Sequence, residues 1–164
     1  MVNVKGLGYI GLPTALMMAA HGVQVIGTDK NEALVQSLRE GKLMFEEKGL
    51  DELFAKALAA GVRFESGNVE ADTYIIAVPT PYDRRTKKTD ACYVTAAVNE
   101  VLDVCPKGAV IIIESTISPS TIDKCVRPII EARGLKIGED VHLAHAPERI
   151  IPGNMIYELT HNSR

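Results

Sequence analysis

The nine residues from Val4 to Leu12, V-K-G-L-G-Y-I-G-L, constrain the chain more than any other stretch. Gly6, Gly8 and Gly11 stand in G-x-G-x-x-G spacing, behind a short β-branched run and ahead of a helix-like run, Pro13 to Ala20, that stops at His21-Gly22. A strand turning sharply into a helix uses glycine three times at such a point. One bends the chain, one lets backbone N–H groups come close to a pyrophosphate, and one lets helix and strand pack. The start of the helix then presents N–H groups and the positive end of its dipole to the anion. Glycine triplets also occur in ordinary turns, so the pattern gains its meaning from the residues downstream of it.

Directly downstream lies Val23 to Thr28, V-Q-V-I-G-T, read as a second strand ending at Asp29. An acid about 20 residues beyond the glycines is where a dinucleotide-binding β-α-β unit holds the adenosine ribose. A carboxylate there accepts from the ribose hydroxyls and repels a 2′-phosphate, so NAD is expected in preference to NADP, with Lys30 next door weakening the preference. The alternative makes Asp29 the N-cap of the next helix, Asn31 to Glu40, and both roles are compatible.

The remaining pattern alternates strand and helix. Gly41 to Gly49 reads as loop, Leu50 to Ala60 as helix, Val62 to Glu65 as strand, and Thr73 to Val78 as a buried parallel strand broken by Pro79-Thr80-Pro81. Tyr82 to Thr89, with Arg84, Arg85, Lys87 and Lys88, reads as a solvated basic loop, with phosphate steering as a weaker alternative. A capped helix over Asp90 to Val104 precedes the strand Ala109 to Ile113. Ser118-Pro119 reads as a cap with proline at the first helical position, and that helix runs to about Arg133. Val141 to Ala144 is the last strand. The expected fold class is α/β: a doubly wound, Rossmann-like parallel sheet of six strands in order 3-2-1-4-5-6, with helices on both faces. At 164 residues, one domain over 1–164 is expected.

Composition removes several function classes. A net charge of -3 and a pI near 5.8 supply no broad attraction to nucleic acid or anionic lipid, and no apolar run is long enough to span a membrane. Met1 leads almost directly into the first strand, so no signal peptide is read and a cytoplasmic location is expected. Cys92, Cys105 and Cys125 are odd in number and lack zinc-ligand spacing; structural thiols are expected, and no metal.

Polar clusters follow the apolar strands: the glycine turn, Asp29, Thr80, Ser115-Thr116, and Glu148-Arg149. In an open parallel sheet all of these face the edge where ligands bind. Thr80 and Thr116 are placed to contact the diphosphate or nicotinamide half of NAD, and Glu148 to position or deprotonate a water or alcohol. Taken singly, the threonines read more readily as caps, and Glu148 as a surface carboxylate paired with Arg149.

G-L-G-Y-I-G-L-P-T-A (Gly6 to Ala15), A-V-P-T-P (Ala77 to Pro81), E-S-T (Glu114 to Thr116) and A-P-E-R-I-I-P-G (Ala146 to Gly153) together resemble the N-terminal half of the UDP-glucose/GDP-mannose dehydrogenase family. Within it the pattern is most similar to the branch acting on UDP-N-acetyl-D-mannosamine. The resemblance implies oxidation of the C6 hydroxymethyl of a UDP-sugar to a carboxylate, with two NAD per turnover, through a covalent thioester. By motif match it implies that Gly6, Gly8, Tyr9, Ile10, Gly11, Asp29, Thr80 and Thr116 bind NAD. Glu148 would organise the hydrolytic water, and Arg149 and Ile150 would touch the UDP-sugar. The family's nucleophilic cysteine, in a G-G-H-C-like segment, and its helical lysine have no counterpart here, and Arg164 matches the arginine before the linker to the central helical domain. The expectation is therefore a cofactor-domain fragment, inactive alone, of an enzyme that is a homo-oligomer at full length. Lys5, where relatives carry an apolar residue, is expected to weaken a short first strand.

Other readings remain open at this point. A stand-alone NAD-sensing regulatory module explains the glycine turn and Asp29 but gives no reason for P-T-P, E-S-T and P-E-R at successive strand ends. A 3-hydroxyacid dehydrogenase would lack P-E-R-I-I-P-G. A UDP-N-acetylglucosamine or UDP-glucose 6-dehydrogenase differs from the favoured branch only in the sugar.

Overall fold

The computed structural model describes residues 1–85, 87–150 and 153–161. Ile151 and Pro152 of the A-P-E-R-I-I-P-G motif, and Arg164, lie outside them. Six parallel strands form the main sheet: β1 (Val2–Lys5), β2 (Val25–Thr28), β3 (Arg63–Glu65), β4 (Thr73–Ile76), β7 (Ala109–Ile113) and β8 (Val141–His145). Their order across the sheet is β3-β2-β1-β4-β7-β8. Counting only these strands, this is the expected 3-2-1-4-5-6, the fold is doubly wound α/β, and the order reverses between β1 and β4.

Two apolar clusters cover the two faces of the sheet. On one side Leu12, Leu16 and Ala19 of α1 (Gly11–Ala20) pack with Val35 and Leu38 of α2 (Glu32–Arg39) and Leu50, Phe54 and Ala57 of α3 (Leu50–Ala59). On the other, Val94, Val98 and Val101 of α4 (Cys92–Leu102) and Ile130 of α5 (Arg127–Ala132) pack on Tyr74, Ile76, Ile111 and Ile113. The near-continuous apolar runs of β4 and β7 thus reflect strands covered on both faces.

Four expectations need correction. Tyr82 to Thr89 is not simply a loop: Tyr82–Asp83 (β5) and Lys88–Thr89 (β6) pair as a small antiparallel hairpin, with Arg84, Arg85 and Lys87 exposed around its tip. The helix does not begin at Ser118-Pro119. Ser120 has φ of 66°, and the first regular turn is a π-helix, Ile122–Val126, running into α5. Pro128 explains the wider turn, because it has no N–H to donate to Lys124 and its ring crowds that carbonyl. A seventh helical segment, α6 (Met155–His161), was not expected, although it buries Met155 completely. Cys92 is exposed rather than packed; Cys105 and Cys125 are half-buried, and all three are free thiols.

Lys5 ends the first strand as a paired ion. It is the last residue of β1, is only 7% exposed, and is held by Glu100 at 2.8 Å and Asn68 Oδ1 at 3.0 Å. A buried ammonium is tolerated when it is paired and hydrogen-bonded in this way.

Candidate functional site

The carboxyl ends of β1, β2, β4, β7 and β8 open into one crevice of about 920 Å³. Its volume falls in the range of cofactor pockets.

The glycine turn forms its floor. Gly6 has φ of 96°, and a Cβ there would meet the Ala77 carbonyl oxygen at 2.5 Å. A Cβ on Gly11 would lie 1.9 Å from the Gly6 carbonyl oxygen, so the helix starts pressed against the end of the strand. A Cβ on Gly8, by contrast, would meet nothing within 4 Å, and Gly8 lines the crevice. The three glycines therefore serve turn, open approach and packing, the division of labour a pyrophosphate cradle requires. No side chain caps α1 at Ile10 and no acid stands in its first turn, so its positive end is not neutralised from within the helix.

Asp29 sits at the rim, at the tip of β2. Its Oδ2 accepts from the Leu7 N–H at 2.7 Å and its Oδ1 from the Asn31 N–H at 2.8 Å. It ties the glycine turn to the start of α2, while Asn31 supplies the actual cap by accepting from the Leu34 N–H at 3.2 Å. The capping role that the sequence offered to Asp29 thus belongs to Asn31.

The opposite wall is stitched together. Ser115 Oγ donates to the Val78 carbonyl at 2.8 Å, joining the ends of β7 and β4. The Glu148 N–H donates to the Glu114 carbonyl at 3.2 Å, and Thr116 Oγ1 lies 3.5 Å from the Glu148 carbonyl oxygen it donates to. Glu148 is 9% exposed, and its carboxylate accepts from the Arg149 N–H at 2.6 Å. It is a buried group facing the crevice rather than a surface carboxylate.

Of the residues singled out from the sequence, Gly6, Gly8, Tyr9, Ile10, Asp29, Thr80, Thr116, Glu148 and Ile150 line this one cavity. Gly11, buried at the start of α1, and Arg149, which is exposed, are not among the lining residues. The Tyr9 hydroxyl donates to Glu47 at 2.6 Å, and its ring leans on Phe45. Burial, and then the Glu47 carboxylate, raise the Tyr9 phenol above its ordinary pKa.

Lys5, Leu34, Tyr93, Ala97 and Glu114 also line the cavity and were not proposed from the sequence. The signal for Lys5 and Glu114 was a charged residue at the end of an apolar strand. Tyr93 and Ala97 carried none, because their position depends on how α4 crosses the sheet. None of the three cysteines lines the cavity, and among the described residues no group of three or more His, Cys, Asp or Glu is placed to hold a metal.

A UDP-N-acetyl-D-mannosamine dehydrogenase from Methanococcus aeolicus is 44% identical over 166 residues, covering 99% of this chain and 37% of the relative. The enzyme of that name from Escherichia coli is 37% identical over 171 residues, covering 99% of this chain and 40% of the relative. The solved structure of the UDP-N-acetyl-mannosamine dehydrogenase Cap5O from Staphylococcus aureus superposes with a TM-score of 0.94 at 44% identity, over 99% of this chain and 40% of that one. The chain thus spans roughly two-fifths of the length of these relatives. Residues 1–164 match the model of the NAD-binding domain of the UDP-glucose/GDP-mannose dehydrogenases, and the chain belongs to that family.

Proposed function

We propose that this chain is the cofactor domain, residues 1–164, of a dehydrogenase that oxidises the C6 hydroxymethyl of UDP-N-acetyl-D-mannosamine to a carboxylate, for surface polysaccharide or glycan synthesis. The observation that carries this reading is the convergence on one cavity of the glycine turn, Asp29, Thr80, Thr116 and Glu148. The names of the relatives support the choice of sugar.

When bound, NAD supplies the hydride acceptor. The chain's own residues do the rest. The backbone around Gly8, Tyr9 and Ile10, at the positive end of α1, takes the pyrophosphate. Asp29 accepts from the ribose hydroxyls while keeping its bonds to Leu7 and Asn31. Thr80 and Thr116 flank the nicotinamide half, and Glu148, held through its backbone, orders the water that releases the acid product. Arg149 and Ile150 lead toward the UDP-sugar.

The cysteine nucleophile implied by the family resemblance is not at this crevice, since Cys92, Cys105 and Cys125 lie elsewhere. Three free thiols suit a reducing, cytoplasmic setting, and among the described residues no helix is long and apolar enough to cross a membrane. Assembly of the complete enzyme as a homo-oligomer is part of the same proposal. Calorimetric titration tests the reading: NAD binds one to one, and NAD plus UDP-N-acetyl-D-mannosamine yields no NADH. Failure to bind NAD overturns the cofactor assignment, and NADH formation overturns the expectation that this chain is inactive alone.

A further inference from the structure

Beside Asp29, the crevice continues into a second cavity of about 310 Å³, lined by Thr28, Ser66, Gly67, Asn68 and Glu100 and sharing Lys5, Asp29 and Lys30 with the first. Glu100 comes from α4, on the other side of β1 from Asp29. One of its carboxylate oxygens pairs with Lys5 at 2.8 Å and the other with Lys30 at 2.6 Å. The Lys5 side chain is 9% exposed and is also held by Asn68; that of Lys30 is 64% exposed and lies at the mouth of the crevice.

Burial pushes the Glu100 carboxyl up, but its bonds to Lys30 and Lys5 outweigh this and hold it below the ordinary carboxylate value. The carboxylate is thus charged at neutral pH. Asp29 and Glu100 together balance Lys5 and Lys30, so the space next to the ribose position carries no net positive charge. A 2′-phosphate needs a cation there that is free to meet it. Among the described residues, Lys30 is the one cation at the rim of both cavities with a largely exposed side chain, and Glu100 already occupies it.

We propose that Glu100 is a specificity-determining residue: by engaging Lys30, anchored from beneath by Lys5, it denies the 2′-phosphate of NADP its counter-charge and sets the preference for NAD together with Asp29. This rests on the reading that the adenosine ribose lies at Asp29. Glu100 acts through Lys30 and has no contact with the cofactor assigned to it. Read from the sequence, Lys30 weakens the expected preference for NAD; in the structure the lysine beside Asp29 is paired with Glu100.

Calorimetric titration of the chain with NAD and with NADP tests the proposal. Glu100→Gln keeps the shape and one acceptor for Lys5 while freeing Lys30. Its NADP dissociation constant is expected to fall about tenfold, as for one charge-assisted bond gained, with NAD affinity changed by less than about threefold. Adding Lys30→Ala should cancel the gain. Should Glu100→Gln unfold because Lys5 is left with a buried charge, Lys5→Met/Glu100→Gln removes that charge and must show the same gain. Unchanged NADP affinity in a folded variant overturns the proposal. So does a gain that survives Lys30→Ala, or an equal loss of both cofactors. A wild-type chain that binds neither dinucleotide overturns the NAD reading itself, a result distinct from failure of the specificity role.

Discussion

At the residue scale, Gly8 and Gly11 look alike in the sequence and differ in the structure. Gly11→Ala drives a methyl group into backbone at 1.9 Å and has no flexible neighbour to move aside. We expect it to cost about 1–3 kcal/mol or more of stability, seen as a lower Tm. Gly8→Ala meets nothing and should leave Tm unchanged. On the proposed reading its methyl would stand where the pyrophosphate comes close, so NAD affinity should fall about tenfold or more through loss of charged hydrogen bonds. Measuring Tm and NAD affinity on both variants separates the two roles. The spacing alone made the triplet legible but did not say which glycine serves fold and which serves ligand. That depends on the Gly6 carbonyl, which the turn itself positions. Asp29 was similarly legible as a rim acid, whereas its bond to the Leu7 N–H was not, since it joins segments that meet only after β1 and β2 pair.

At the scale of elements, Glu47 clasps three pieces of chain. It accepts from the Tyr9 hydroxyl of the glycine turn, and from the N–H groups of Gly153 at 3.0 Å and Met155 at 3.4 Å at the start of α6. The Tyr9 hydroxyl, followed by the Gly153 N–H, lowers the Glu47 pKa below its ordinary 4.5. A depressed carboxyl contributes stability that is present above the unfolded value and is lost as pH falls through the folded one. Protection of the Met155 amide, its exchange measured against the intrinsic rate at the same pH, should therefore fall on acidification below about pH 4.5. Glu47→Gln should show fast exchange already at neutral pH, with Tm little changed. This clasp explains why α6 escaped the sequence reading: M-I-Y-E-L-T-H is short, and its helix is secured by a loop more than a hundred residues earlier. The π-turn was hidden for a different reason. Pro119 offered a familiar helix start, and the structural effect came from Pro128 instead.

At the scale of the whole molecule, the order of six strands was readable because each buried run was followed by a helix of suitable length, and right-handed crossovers leave few arrangements. Both apolar clusters share the one sheet, so they should melt together. Leu16→Ala on one face and Ile111→Ala on the other are each expected to cost about 2–5 kcal/mol and to lower the same single calorimetric transition. Two separated transitions would show that the faces are independent units. The hairpin of β5 and β6 lies outside that sheet and should contribute little to its unfolding.

The Ser115 bridge has a mechanical corollary. With the ends of β4 and β7 laced to each other, and the segment after β8 laced to β7 through Glu148, the Thr80, Thr116 and Glu148 side of the crevice behaves as a fixed jaw. Breathing that admits or releases a dinucleotide is expected on the facing side, where Asn31 and Leu34 ride on the start of a two-turn helix and Lys30 is tethered to Glu100 by a partly exposed ion pair.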